Sequence, residues 1–145
     1  MDIAFISCVK KKKIGEYKAI ELYISDYFKK SLKYCSMNYN KIFILSAKYG
    51  LLNLDSKIKD YELTLNSLSK EEKIIWANKV AIQIKKSVNK EDILHFYVGN
   101  NYRQHLIPLL DNDYNIPLIG LGIGKQLKFF KDNTKSDILL FNFNP

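Results

Sequence analysis

Ser7-Cys8-Val9, followed by lysines 10–13, is the first group in this chain whose side chains could do chemistry. Backbone amides with the Lys10 and Lys12 ammonium groups would hold a phosphate or another anion, and Ser7 adds a hydroxyl. A thiol beside several ammonium groups loses its proton more readily, which makes Cys8 a candidate nucleophile. No Cys–His–acid spacing accompanies it. A small buried cysteine beside a solvated charge run would leave the same pattern, so anion binding, catalysis and simple packing all stand open. The second group is Ser46-Ala47-Lys48-Tyr49-Gly50. A lysine directly after an apolar run must point to solvent or to a ligand, so Ser46, Lys48 and Tyr49 are candidate contacts.

Three further groups follow. In Lys59-Asp60-Tyr61-Glu62-Leu63-Thr64, Asp60 or Glu62 could serve as a general acid or base. Tyr61 could stack on a base, with Thr64 a further ligand contact; a loop pinned by its own aromatic would read the same way. Gly99-Asn100-Asn101-Tyr102-Arg103 contains the only arginine of the chain, a residue suited to two-pronged contacts with phosphate or carboxylate. Gly120-Leu121-Gly122-Ile123-Gly124-Lys125-Gln126 fits neither the dinucleotide nor the P-loop spacing. Its alternate glycines before a helix still let an anion approach the backbone, with Gly122, Gly124, Lys125 and Gln126 as contacts. His95 and His105 have no Asp or Cys at metal-ligand spacing, so no metal and no cofactor are expected.

These groups need a scaffold that brings them together. Four of them follow apolar runs, at residues 3–6, 42–45, 93–98 and 117–121, which read as strands, the first of the kind buried on both faces and the last a strand or an extended segment. Ser25-Asp26 marks the start of a helix that turns Tyr27, Phe28, Leu32 and Cys35 inward. Ser69 with Glu72 forms a capping box, opening a helix to about Val88 with Ile75, Trp76, Val80 and Ile84 at helical spacing. Further helices are predicted near 101–111, shortened by Pro108, and over 124–132. Residues 48–68 read as the longest irregular stretch, and 138–143 as a final edge strand or a covering tail. Alternating strands and helices predict a single α/β domain over residues 1–145. It is a three-layer α/β/α sandwich on a mainly parallel sheet of four or five strands. In such sheets ligands bind where the carboxyl ends of the strands meet.

Composition narrows the partners. A net charge of +8 favours acidic partners such as nucleotides, other phosphates and nucleic acid. Lysine, asparagine and isoleucine are abundant throughout, a bias that would raise the charge without any function. Two cysteines make no disulfide framework, and no run approaches the length of a membrane span. A cytoplasmic protein without a signal peptide or a membrane partner is the expectation. Nothing in the sequence sets the oligomeric state.

Several of these pieces occur in one order in a known family. Ser7-Cys8 with Lys10 and Lys12, Leu22-Tyr23-Ile24-Ser25 with Phe28, and Leu45-Ser46-Ala47-Lys48-Tyr49-Gly50-Leu51-Leu52 begin the set. Ile58 with Tyr61, Thr64-Leu65, Trp76-Ala77, Tyr102-Arg103, Leu109, and Pro117-Leu118 through Gly120 to Leu127 complete it. The chain resembles a family of small bacterial and phage α/β proteins of unknown function, some of them labelled peroxide stress protein YaaA-like. The resemblance implies a stand-alone domain and brings no reaction with it. One departure is Val98-Gly99-Asn100-Asn101, where the relatives carry Ala-Gly before the Tyr-Arg pair; Tyr102 and Arg103 carry over.

The leading expectation is an enzyme acting on a nucleotide, nucleoside or nucleobase-like substrate, by hydrolysis or transfer at an N-glycosidic bond. Phosphate would sit on Ser7, Lys10, Lys12 and residues 122–125, and Lys48 and Arg103 would add charge. Tyr61 or Tyr102 would stack on the base, and Asp60 or Glu62 would activate water. The alternative is a non-catalytic protein that binds a nucleotide or nucleic acid, in sequestration or in a phage or host-defence role.

Overall fold

The computed structural model of the chain describes residues 1–7 and 11–134; Cys8, Lys10 and the strand expected at 138–143 lie outside them. Strand β1 (Asp2–Ser7) is apolar because both of its faces are covered. Ile3 and Phe5 enter one apolar layer, Ala4 and Ile6 the other, and none is more than 1% exposed. β3 (Lys41–Ser46) and β6 (Ile93–Tyr97) flank β1 in parallel. Phe5 stacks between Phe43 and Phe96, with ring centroids 5.7 and 4.9 Å away. β7 (Tyr114–Asn115) pairs in parallel with β6, and β4 (Gly50–Asn53) runs antiparallel to β3. The result is a mixed α/β fold on a mainly parallel five-stranded sheet of order β4-β3-β1-β6-β7.

Helices lie on both faces. α2 (Asp26–Asn38) buries Phe28 and Cys35 in the layer that also holds Phe130 of α5 (Ile123–Asp132). α3 (Lys70–Ser87) buries Trp76, Val80 and Ile84 in the opposite layer, together with Tyr102 of the short α4 (Asn100–Arg103). The path from β1 to β3 passes through α2, and the path back across to β6 passes through α3. Crossovers in opposite directions on opposite faces share one hand, as βαβ units require. Among the described residues no helix is long and apolar enough to cross a membrane.

The caps form as the sequence predicts. Ser25 Oγ accepts the Phe28 N–H at 3.1 Å, and Ser69 and Glu72 exchange both bonds of a capping box at 3.1 and 3.0 Å. Within α3, however, Ile75 is 69% exposed, and Trp76 rather than Ile75 faces the sheet.

Three segments differ from expectation. The stretch 48–68 is ordered: β4 folds back on β3, β5 (Lys57–Lys59) pairs antiparallel with β2 (Glu16–Lys18), and residues 65–67 form a 3-10 turn. Gly50 makes the first turn, at φ +75°, where a Cβ would lie 2.3 Å from Gln83 Oε1. That oxygen accepts the Leu51 N–H at 2.9 Å, so the α3 side chain fixes the hairpin. The apolar run at 117–121 is not a strand. The strand precedes it at Tyr114–Asn115, and 117–120 is a turn with Gly120 at φ +83°. Pro117 has no N–H to give a sheet ladder, which favours this outcome. The helix expected over 101–111 ends at Arg103, and Pro108 sits instead in a 3-10 turn, Ile107–Leu109, where its missing N–H costs little. A further short helix, α1 (Ala19–Leu22), follows directly on β2.

Candidate functional site

Because the chain leaves β1 toward β3 and later returns to the other side of β1 at β6, the sheet has a switch point between β1 and β6. Open α/β sheets bind ligands at such points, outside the carboxyl ends of the strands. A crevice of about 650 Å³ opens there, with Ser7 of β1 and Phe96, Tyr97 and Val98 at the end of β6 in its lining.

One wall is polar: Asn66 from the 3-10 turn, and Asn100, Asn101 and Arg103 from α4. Lys73 Nζ donates to Asn101 Oδ1 at 3.3 Å, and Asn101 Nδ2 donates to Asn66 Oδ1. An ammonium can only donate, so it fixes the orientation of both amides in turn. Asn66 therefore keeps its Nδ2 donors for a ligand. Arg103 Nε is buried and has no hydrogen-bond partner among the described residues. A buried N–H of a guanidinium without an acceptor is costly, and such atoms call for a bound partner.

Another part of the lining is apolar. Ile119, Leu121 and Ile123 all line the crevice, on the turn that replaces the expected strand. Ser25, Tyr27 and Gln126 complete the lining. The Tyr27 hydroxyl donates to Gln126 Oε1, and Gln126 Nε2 donates to the Leu121 carbonyl at 2.8 Å, tying α2, α5 and the turn together. Burial pushes the Tyr27 phenol up to about 12, with the nearby Cys35 a smaller contribution, so it stays a neutral donor at physiological pH.

A second cluster lies one strand away, at the end of β3. Ser46 Oγ accepts the N–H groups of Lys48 and Tyr49 at 3.3 and 3.1 Å and donates its single proton to the Tyr61 hydroxyl at 2.8 Å. The Tyr61 hydroxyl also shares a hydrogen bond with the Tyr23 hydroxyl, at 2.8 Å. Lys12 Nζ stands 4.4 Å from the centre of the Tyr61 ring, a cation–π contact. The Tyr49 ring meets Tyr61 edge-on, and its hydroxyl donates to the Lys59 carbonyl at 3.0 Å.

The residues singled out in the sequence therefore divide. Ser7, Tyr102, Arg103 and Gln126 share the crevice, while Lys12, Ser46, Tyr49 and Tyr61 share the second cluster. Lys48 is exposed beside the Tyr49 ring, and the Thr64 carbonyl accepts from Ser67 in the 3-10 turn. Asp60 is half-buried, with Oδ1 accepting the Gly15 N–H at 2.8 Å, and Glu62 is exposed; neither lines the crevice. Gly122 caps α5, and Gly124 and Lys125 lie in its exposed first turn. Tyr102 is 5% exposed and packs edge-on against Trp76, so its ring face is not offered for stacking. The glycines of the 120–126 segment mark it in the sequence, whereas Asn66 and Ser25 as lining residues, and Ile119, Leu121 and Ile123 as an apolar surface, escaped the sequence reading. An isolated asparagine in a polar loop carries no signal, and the apolar residues before Gly122 read as a strand. Among the described residues no group of three or more His, Cys, Asp or Glu is placed to hold a metal ion.

No curated protein matches the chain. A family model does, over residues 3–132, a span that includes every described element of the crevice. The chain belongs to that family, a family of unknown function designated DUF6884.

Proposed function

We propose that the crevice between β1 and β6 binds a nucleotide or nucleoside phosphate. The observation that carries this reading is the buried Arg103 Nε, without a partner among the described residues, in the polar wall of a 650 Å³ space at the sheet's switch point. A guanidinium edge presents two parallel N–H donors, the geometry that phosphate oxygens accept. The volume falls in the range of small-molecule sites, roughly 300–1,000 Å³. Among the described residues that line it, Arg103 supplies the one cationic side chain, which suits a single phosphate group better than a polymer backbone.

Among the described residues that line the crevice are hydroxyls, amides and a guanidinium but no carboxylate or imidazole. Binding is therefore better supported than cleavage of an N-glycosidic bond, which needs an acid or base at the sugar. The test is calorimetric titration with nucleoside monophosphates for the native protein, Arg103→Ala and Arg103→Lys. Losing the fork should weaken binding by about tenfold or more in both variants, since each charged hydrogen bond contributes about 1.5–3 kcal/mol. Unchanged affinity in Arg103→Ala would remove the proposal.

A further inference from the structure

We infer that Ile119, Leu121 and Ile123 form the platform on which the ligand's base ring rests. This builds on the proposed nucleotide reading and names how that ligand is held. The three side chains are 66%, 37% and 61% exposed, yet all line the same crevice. Clustered exposed apolar side chains mark surfaces that a partner covers. Glycines at 120 and 122 separate them, and the positive φ of Gly120 reverses the chain there.

The aromatic rings of the lining are already committed elsewhere. Phe96 is 1% exposed and stacked on Phe5, the buried Tyr97 meets Tyr34 and Tyr39 edge-on, Tyr102 abuts Trp76, and Tyr27 meets Phe130 edge-on. Outside the lining, the Tyr61 ring carries Lys12 over it and touches both Tyr23 and Tyr49. A base entering the crevice therefore finds an aliphatic surface rather than a free aromatic face. The same crevice is lined by Arg103, which takes the phosphate, and Asn66, whose Nδ2 donors suit the acceptor atoms on a base edge. An apolar surface sharing a crevice with donors and a cation fits a molecule that is flat and apolar at one end and anionic at the other.

The experiment compares two probes, adenosine 5′-monophosphate and ribose 5-phosphate, on three proteins: the native chain, Ile119→Ser/Ile123→Ser, and Arg103→Ala. Both isoleucines are largely exposed, so the double variant should melt close to the native temperature, and Ile119→Ser alone serves if it does not. The platform predicts that the serine variant loses about tenfold or more in affinity for the monophosphate and holds the sugar phosphate within about twofold. Arg103→Ala should weaken both probes together. Equal losses for both probes in the serine variant, or no loss for either, would overturn the platform while leaving the nucleotide reading intact. Retained binding in Arg103→Ala, or no binding by the native chain, would overturn the nucleotide reading and the platform with it.

Discussion

Neither Asp60 nor Glu62 lines the crevice, and Asp60 makes a local contact that is visible atom by atom. Asp60 holds both ends of the Gly15 peptide: Oδ1 accepts the Gly15 N–H at 2.8 Å, and the Asp60 N–H reaches the Gly15 carbonyl at 3.1 Å. It closes the end of the two-stranded β2–β5 sheet, where Glu16 pairs with Lys59. The Asp60→Asn variant keeps an acceptor oxygen but loses its charge, so it should lower stability by about 1 kcal/mol and leave nucleotide affinity unchanged. Glu62→Gln should change neither. Denaturant melts and calorimetry on the two variants check this. Loss of turnover with binding retained, in an assay of nucleoside hydrolysis or transfer, would instead restore the catalytic role.

At the level of elements, local chemistry carries the helix starts and tertiary contact carries the edges of the sheet. The α3 capping box lies within four residues, so its pattern is readable before any fold is known. Ser69→Ala should cost about 1 kcal/mol, measured by denaturant titration of the Trp76 fluorescence. The Ser69 backbone N–H holds the Glu72 carboxyl below its ordinary range, so this contribution is present above the ordinary glutamate value and fades as pH falls. The penalty of Glu72→Gln, which removes the charge that this N–H holds, should therefore shrink in acid; a penalty that stays constant with pH would mean that the charge contributes nothing. β1 and β3 were readable for a similar reason, because burial on both faces demands unbroken apolar runs, and β6 keeps that pattern except at His95. β4 depends on Gln83, 32 residues away from Leu51, and nothing in Gly-Leu-Leu-Asn announces that partner. β7 is two polar residues at an edge, while the stronger apolar signal just after it serves the crevice. The misplacement of that strand hid the wall of the candidate site.

Across the whole molecule, the two ends of the sheet are specialised: the carboxyl ends open into the crevice, and the amino ends are stitched shut. The Met1 ammonium donates to Asp92 Oδ1 at 2.8 Å, and Asn89 N–H donates to Asp92 Oδ2 at 2.8 Å. His95 bridges Asp2 at 2.8 Å and Asn115 at 2.9 Å, joining β1, β6 and β7 at the same end. The ammonium bond holds the Asp92 carboxyl below its ordinary range, and the same bond raises the ammonium above its ordinary 8.0. The lowered carboxyl contributes stability that is present above its ordinary value and lost as pH falls through the lowered one. The raised ammonium contributes stability that is present below pH 8 and lost as pH rises through the raised value. The stitch should therefore be strongest between about pH 4 and 8 and weaken on both sides. Asp92→Asn should lower the melting temperature most within that window and flatten the profile outside it. Because the pair lies at the far end of the sheet from Arg103, nucleotide affinity at pH 7 should not move. A variant whose melting temperature falls equally at pH 3, 6 and 10 would show that Asp92 acts through packing alone. A variant that loses nucleotide binding while still folded would show that the two ends of the sheet are coupled.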